Sequence, residues 1–506
     1  MPALPRVGSH SARCLDDRRV SLLLVVLTAL TLAAPRAARG AQLEGPISGG
    51  THGRPFTAVT FDLAPYGYVE EEYFVAGDAT TYDAAPGTTL GIDGRWSLEP
   101  AGSAPFRTRL MVRRPTDAAR FNGTVVVEWL NVSGGWDIDA VWIQVREEML
   151  RSGYAWVGVS AQRAGVDGPP VLPGVSKPLV EWDAERYGSL AIPDDALSYD
   201  IFTQTAALVG PRRPRDPDPL GGLAVKRVLA TGASQSAHRL ASYLDGVAPL
   251  VHAYDGYLVV VRFGSGAAIN PDLAPPARFY IRGDLDVPVF VVNTETEALA
   301  SYPVRQPDTD RYRFWEIAGA AHQGSYVDLV IDAQIRRDLG FALPGCTPPA
   351  NEMPAHYVLN AALDHLNRWV DRAVAPPLLA SRAASAAGRV IRRARAIAPP
   401  KLPRIAIAGE PPEIQRDGYG NALGGVRLPQ LAVPTAQYGP VGTPEALRCD
   451  LRGFTIPFDE ATLRHLYPDQ RSYLRRVSSA TYAAVRQGFL LPPDAAEVRR
   501  LAAAQP

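Results

Sequence analysis

The stretch Val225-Lys-Arg-Val-Leu-Ala-Thr-Gly232-Ala-Ser234-Gln-Ser236-Ala-His-Arg-Leu-Ala-Ser-Tyr-Leu244 decides the fold. A β-rich apolar run enters it and a helical pattern leaves it, with Gly-x-Ser-x-small at the junction. Small residues two before and two after Ser234 let strand and helix approach closely. The serine then takes a strained turn that exposes its hydroxyl. Ser236 stands where such turns often carry glycine, and serine is small enough to serve. The competing reading is a chance Gly-x-Ser in which Ser234 only caps the helix; the flanking patterns favour the exposed turn.

Outward from this turn, continuous apolar runs alternate with helical patterns from about 106 to 375, as in a parallel sheet covered on both faces. The runs predict strands at Thr124–Trp129, Ala155–Ser160, Ala224–Thr231, part of Leu250–Val260, Val287–Val292 and Tyr312–Ile317. Helices are expected around Ile138–Ser152, Ser198–Val209, Ser236–Leu244 and Tyr357–Arg372. The result is a doubly wound α/β domain. Two Gly-, Pro- and Asp-rich insertions, Arg163–Asp195 and Arg262–Asp286, read as functional lids or as disordered insertions. Residues 41–105 carry alternating runs such as Phe56–Phe61 and Tyr68–Tyr73, which predict an antiparallel extension. Residues 376–416 read as a Pro-, Ala- and Arg-rich connector, and 417–506 as a folded C-terminal extension.

A serine hydroxyl is a weak nucleophile, so a base and an orienting acid are required, in the order Ser, acid, His for this kind of sheet. His322 follows the predicted strand ending at Ile317, in the small-residue loop Gly319-Ala-Ala-His322-Gln-Gly. Catalytic groups of open α/β sheets gather at that carboxyl edge. His252 competes but precedes any carboxylate loop. The acid is expected after Val292, where the chain reads Asn293-Thr-Glu295-Thr-Glu297. Distance past the strand favours Glu297, with Glu295 the alternative. For an oxyanion, backbone N–H groups are expected from Gln235 and from the loop Asn131-Val-Ser133-Gly134-Gly135-Trp136. An ordinary Gly-Gly turn is the plainer reading of that loop.

The chain has 506 residues, 46% hydrophobic and 21% charged, with 52 basic and 52 acidic side chains. That balance supplies no pull toward nucleic acid or an anionic membrane, and a small-molecule ester fits better. No metal site or cofactor motif is expected; Asp216-Pro-Asp218 and Asp308-Thr-Asp310 read as solvated turns. Asn122 and Asn131 open glycosylation sequons that matter only in a eukaryotic secretory route. Arginines precede the apolar run Val20–Ala34, and small residues follow, which predicts a signal peptide over 1–40 cleaved after Gly40. Arg18-Arg19 raises twin-arginine export, although Ser21 disfavours it. The run is shorter than the roughly 20 residues a membrane span needs. The protein is therefore expected to be secreted or periplasmic, with no stable membrane span. Cys346 and Cys449 remain after cleavage and are expected to form a disulfide; two buried free thiols are the alternative.

Together these segments resemble a family of large exported α/β-hydrolase-domain proteins with a Thr-Gly-x-Ser-Gln-Ser turn. The resemblance rests on Val127-Glu-Trp-Leu-Asn131-Val-Ser-Gly-Gly135, Arg186-Tyr-Gly-Ser-Leu190, Tyr199-Asp-Ile-Phe202, Thr231–Ser236, Arg305-Gln-Pro-Asp-Thr-Asp310 with Trp315-Glu-Ile-Ala-Gly319, and Gly488-Phe-Leu-Leu-Pro492. This chain departs in having Ala237 after the hexapeptide and Glu-Thr-Glu where Glu-Thr-Asp is commoner. The resemblance implies the α/β-hydrolase fold and Ser234 as nucleophile. Carboxylic ester hydrolysis is the expected reaction. An amidase or acyltransferase would use the same groups, and an idle fold retained for binding is a different class of reading.

Overall fold

The computed structural model describes residues 40–373, 404–444 and 448–504. The expected signal peptide up to residue 39 and the connector as far as 403 lie outside these described residues. One sheet contains β1 (Gln42–Glu44), β2 (Tyr68–Ala84), β3 (Leu98–Pro115), β4 (Thr124–Trp129), β5 (Ala155–Val159), β6 (Arg227–Ala233), β7 (Gly256–Val260), β8 (Val289–Thr294) and β9 (Tyr312–Ile317). Its order is β1-β2-β3-β5-β4-β6-β7-β8-β9. From β5 to β9 across the sheet the pairings are parallel, and the first three strands join antiparallel.

The parallel strands read as unbroken apolar runs because both of their faces are buried. Val125, Val127 and Trp129 of β4 point into one core and Val126 into the other. Helices α1 (Ala140–Ser152), α2 (Ser198–Val209), α3 (Gln235–Ser242), α4 (Ser325–Asp338) and α5 (Ala355–Ala373) cover the sheet. Those on one face include α2, α3 and α4, through Phe202, Leu240 and Ile331. On the other face lie α1 and α5, through Val145 and Leu366. The expected strands are present with shifted bounds, β8 running Val289–Thr294 rather than Val287–Val292. β6 starts at Arg227 rather than Ala224, and β7 is confined to Gly256–Val260 because Ala248–Val251 is helical.

Strand β4 sits between β5 and β6, so the chain leaves β4 in one direction and returns across it to reach β6. This reversal sets the loops after β4 and β6 side by side at the carboxyl edge, where open α/β sheets hold ligands.

The expectation of a strand at Phe56–Phe61 is corrected: this segment is turn and coil. Thr57 has φ 56°, and the backbone here is satisfied by side chains instead of a ladder. Asp338 accepts from Thr57 N–H, and Arg109 donates to the Phe56 carbonyl. The Tyr68–Tyr73 run does form a strand, part of the long ribbon β2–β3, and β3 continues through position 105. The last part of the expected connector, 404–416, is packed: Ile405 is buried and its N–H donates to Glu316 Oε2 at 2.9 Å. The C-terminal extension folds around α6 (Gln470–Gln487) and α7 (Pro492–Ala504). Cys346 and Cys449 are disulfide-bonded. Among the described residues no helix is long and apolar enough to cross a membrane.

Candidate active site

Ser234 leaves β6 at φ 59° and ψ −118°, a conformation that costs a non-glycine residue on the order of 1–3 kcal/mol. The surroundings over-determine it. Ser234 N–H donates to the Val260 carbonyl at 3.0 Å, extending the β6–β7 pairing by one residue. Ser236 Oγ accepts from Ala233 N–H at 3.0 Å and donates to the Ala233 carbonyl at 2.9 Å. A hydroxyl at this fifth position thus clamps the turn, which glycine could not do. Gly232 leaves room for the turn, because a Cβ there would lie a tight 3.0 Å from the Ser236 carbonyl oxygen.

The loops after β8 and β9 bring the other two groups to Ser234. His322 Nε2 stands 2.8 Å from Ser234 Oγ, and His322 Nδ1 stands 2.6 Å from Glu297 Oε1. An ionised carboxylate can only accept, so Nδ1 carries the proton and Nε2 is left to take one from the hydroxyl. The Glu297 side chain is fully buried, and its other oxygen accepts from Thr294 N–H at 2.8 Å and Thr294 Oγ1 at 2.7 Å. Glu295, the alternative acid, points elsewhere. It accepts from Gly319 N–H at 2.7 Å and pairs with Arg416 at 2.7 Å, fixing the loop that leads to His322. Burial pushes the Glu295 carboxyl above its ordinary range, and the Arg416 charge opposes this.

Two supports escaped sequence reasoning. Thr296 Oγ1 accepts from the His322 N–H at 2.9 Å, and the Phe263 ring packs over the imidazole at 5.2 Å. No local pattern marks either residue. His238 and His252 stand apart from this chain of contacts. His238 contacts Ser265 Oγ at 3.3 Å, and burial lowers its pKa to about 4; His252 faces Asp286 on the surface.

The loop Asn131–Trp136 closes the other side of Ser234. Asn131 is its tie: Nδ2 donates to the Ala233 carbonyl at 2.9 Å, and Oδ1 accepts from Ser133 N–H at 2.8 Å. The Ser133 N–H is therefore already engaged, which corrects its expected role as an oxyanion donor. Among the described residues the Gly134 N–H has no acceptor, so the donors left from the expected set are Gly134 and Gln235. Gly135 has φ 78°, and a Cβ there would collide with Ser176 of the first insertion. Behind the loop, Asp137 is held by the fully buried Arg109 at 2.9 Å, and Arg109 also reaches Glu72 of the ribbon. The N-terminal ribbon thus anchors a loop beside Ser234.

The side chains of Ser234 and His322 open into a cavity of about 80 Å³. Its apolar wall includes Val327, Ile331 and Ile335 of α4, with Leu172 from the first insertion and Phe341 and Leu343 beyond α4. Arg448 and Arg452 of the C-terminal extension complete it. The disulfide joins these last two contributors, since Cys346 follows Leu343 closely and Cys449 adjoins Arg448. A larger groove of about 660 Å³, lined by Tyr326, His356 and Tyr473 among others, touches neither Ser234 nor His322. Ser234 and His322 both line the smaller one. Of the carboxylates expected in solvated turns, Asp218 and Asp308 are instead largely covered, Asp218 paired with Arg213 and Asp308 with Arg313 and Arg404.

A family model described as alpha/beta hydrolase domain matches residues 43–500. The chain belongs to this alpha/beta hydrolase domain family. No curated protein matches it significantly. Similar solved structures include an α/β serine hydrolase without lid from Xanthomonas campestris, 13% identical over 51% of this chain and 95% of that one, TM-score 0.27. A serine hydrolase homologue from Coxiella burnetii is 12% identical over 47% and 93%, TM-score 0.26. An esterase of Rhizomucor miehei is 12% identical over 58% and 83%, TM-score 0.27. Likeness at this level carries nothing about function.

Proposed function

We propose that this alpha/beta hydrolase family member is an exported serine hydrolase that cleaves short carboxylic esters through Ser234, His322 and Glu297. The observation that carries the reading is the position of His322, whose two ring nitrogens reach Ser234 Oγ at 2.8 Å and the buried Glu297 at 2.6 Å. His322 Nε2 takes the Ser234 proton as Oγ attacks the ester carbonyl. The C=O electrons move to oxygen, where the N–H groups of Gln235 and Gly134 face the developing charge. Collapse expels the alkoxide, which takes the proton from the imidazolium. Water then attacks the acyl-enzyme by the same route and releases the acid. Glu297 holds the tautomer and stabilises the imidazolium.

The cavity at Ser234 and His322, about 80 Å³ with walls of Leu172, Val327, Ile331 and Ile335, is narrow and apolar, which suits a short acyl group. Export is supported by the leader-like start of the sequence and by a disulfide, which persists in oxidising compartments. The test is hydrolysis of p-nitrophenyl esters of graded chain length. Acetate and butyrate should turn over, octanoate and longer should not, and Ser234→Ala should lower the rate by roughly 10⁴ or more while the protein stays folded. A Ser234→Ala variant keeping about a tenth of the wild-type rate would contradict the assignment.

A further inference from the structure

Arg448 is an unusual component of the cavity wall. It is half-buried, and its backbone sits at φ 61°, in the left-handed region that a residue with a side chain occupies at a cost. Among the described residues it makes no ion pair and no side-chain hydrogen bond. Asp450 attracts it only from beyond ion-pair distance. Burial lowers its pKa from the ordinary arginine value, yet a guanidinium stays charged at any physiological pH.

The other cation in the wall differs. Arg452 donates to the Pro344 carbonyl at 2.7 Å and faces Asp328 at 3.4 Å, so its charge is balanced inside the protein. Among the described residues no aspartate or glutamate lines the cavity. The cavity therefore combines apolar walls, the Ser234–His322 pair and one cation that makes no direct ion pair or side-chain hydrogen bond among the described residues. A partly desolvated, unpaired cation is costly to keep unless something completes it.

We propose that Arg448 completes the site as an anion-recognising residue, and that the preferred substrates are short esters that carry a carboxylate of their own. This rests on the reading of Ser234 as the nucleophile. A carboxylate matches the guanidinium fork, which can hold both oxygens at once. The apolar lining accommodates the short carbon chain between the two groups.

The carboxylate could sit on the acyl or on the alcohol side, and the experiment separates these. Wild-type kcat/KM, followed by pH-stat, is compared for methyl hydrogen glutarate against methyl valerate, and for 4-acetoxybenzoate against phenyl acetate. The charged member of one pair should be preferred by roughly ten- to a hundredfold, the range of a charge-assisted hydrogen bond. That preference should collapse toward unity in Arg448→Gln and return in part in Arg448→Lys. Should Arg448→Gln fold poorly, glutarate itself serves as a probe. It should inhibit the wild type competitively, far better than neutral valeramide does. A wild type with no preference in either pair, or a preference that survives Arg448→Gln, overturns the proposal. Hydrolysis of neutral esters with no carboxylate preference would overturn the Arg448 role alone. No Ser234-dependent hydrolysis of any ester would remove the underlying reading.

Discussion

Ser234, Glu297 and His322 stand one, three and five residues past the ends of β6, β8 and β9. Part of the wall that faces them comes from α4, and the rest from Leu172, Phe341, Leu343, Arg448 and Arg452, residues of an insertion and of two segments joined by the Cys346–Cys449 bond. The first region is positioned by a parallel sheet that any member of the fold must build. The second depends on loops and a tail that can change without disturbing the sheet. Chemistry and selectivity are thereby assigned to parts of the molecule with different tolerance to change.

The comparison breaks most visibly at the carboxylates after β8. Glu297→Gln leaves the fold but removes the acceptor of His322 Nδ1–H, and turnover should fall by at least roughly 10². Glu295→Gln, two residues away, should stay within about tenfold in turnover and should instead lower the melting temperature. It breaks the pair between the buried Glu295 and the exposed Arg416 and weakens the hold on Gly319. Equal kinetic losses for the two variants would show that the loop does not distinguish them. Steady-state rates and thermal melts on both proteins check this.

A smaller effect is expected at the wall. Closing a loop near 100 residues is worth at most about 4.7 kcal/mol in the chain-entropy model, usually less in practice. The double variant Cys346→Ser with Cys449→Ser should therefore melt at lower temperature. Because the bond ties Leu343 to Arg448, KM should rise severalfold while kcat changes less than about threefold. A kcat loss as large as that of Glu297→Gln would mean that the wall also positions the chemistry.

The difference also explains what was legible in the sequence. The parallel strands, the Gly232–Ser236 turn and the placement of His322 were readable because they depend on neighbours a few residues apart. Glu297 was separable from Glu295 only by its distance past the strand; the geometry adds that Glu295 is occupied by Gly319 and Arg416. Ser133 was misread because Asn131 Oδ1 takes its N–H, a contact within the loop that no pattern announces. Phe56–Phe61 looked like a strand by alternation, yet Arg109 and Asp338, distant in sequence, satisfy its backbone. Phe263 and Arg448 carry no local signal at all. Residues that act across long sequence separations are fixed by packing, and one sequence does not display them.

The most direct measurement of the central claim is covalent capture of the activated serine by a fluorophosphonate probe, followed by intact mass and peptide mapping. The account predicts one adduct, on Ser234, absent in Ser234→Ala and formed at least roughly 10² more slowly in Glu297→Gln. No adduct on the folded wild type, or an adduct on another serine that persists in Ser234→Ala, would contradict it.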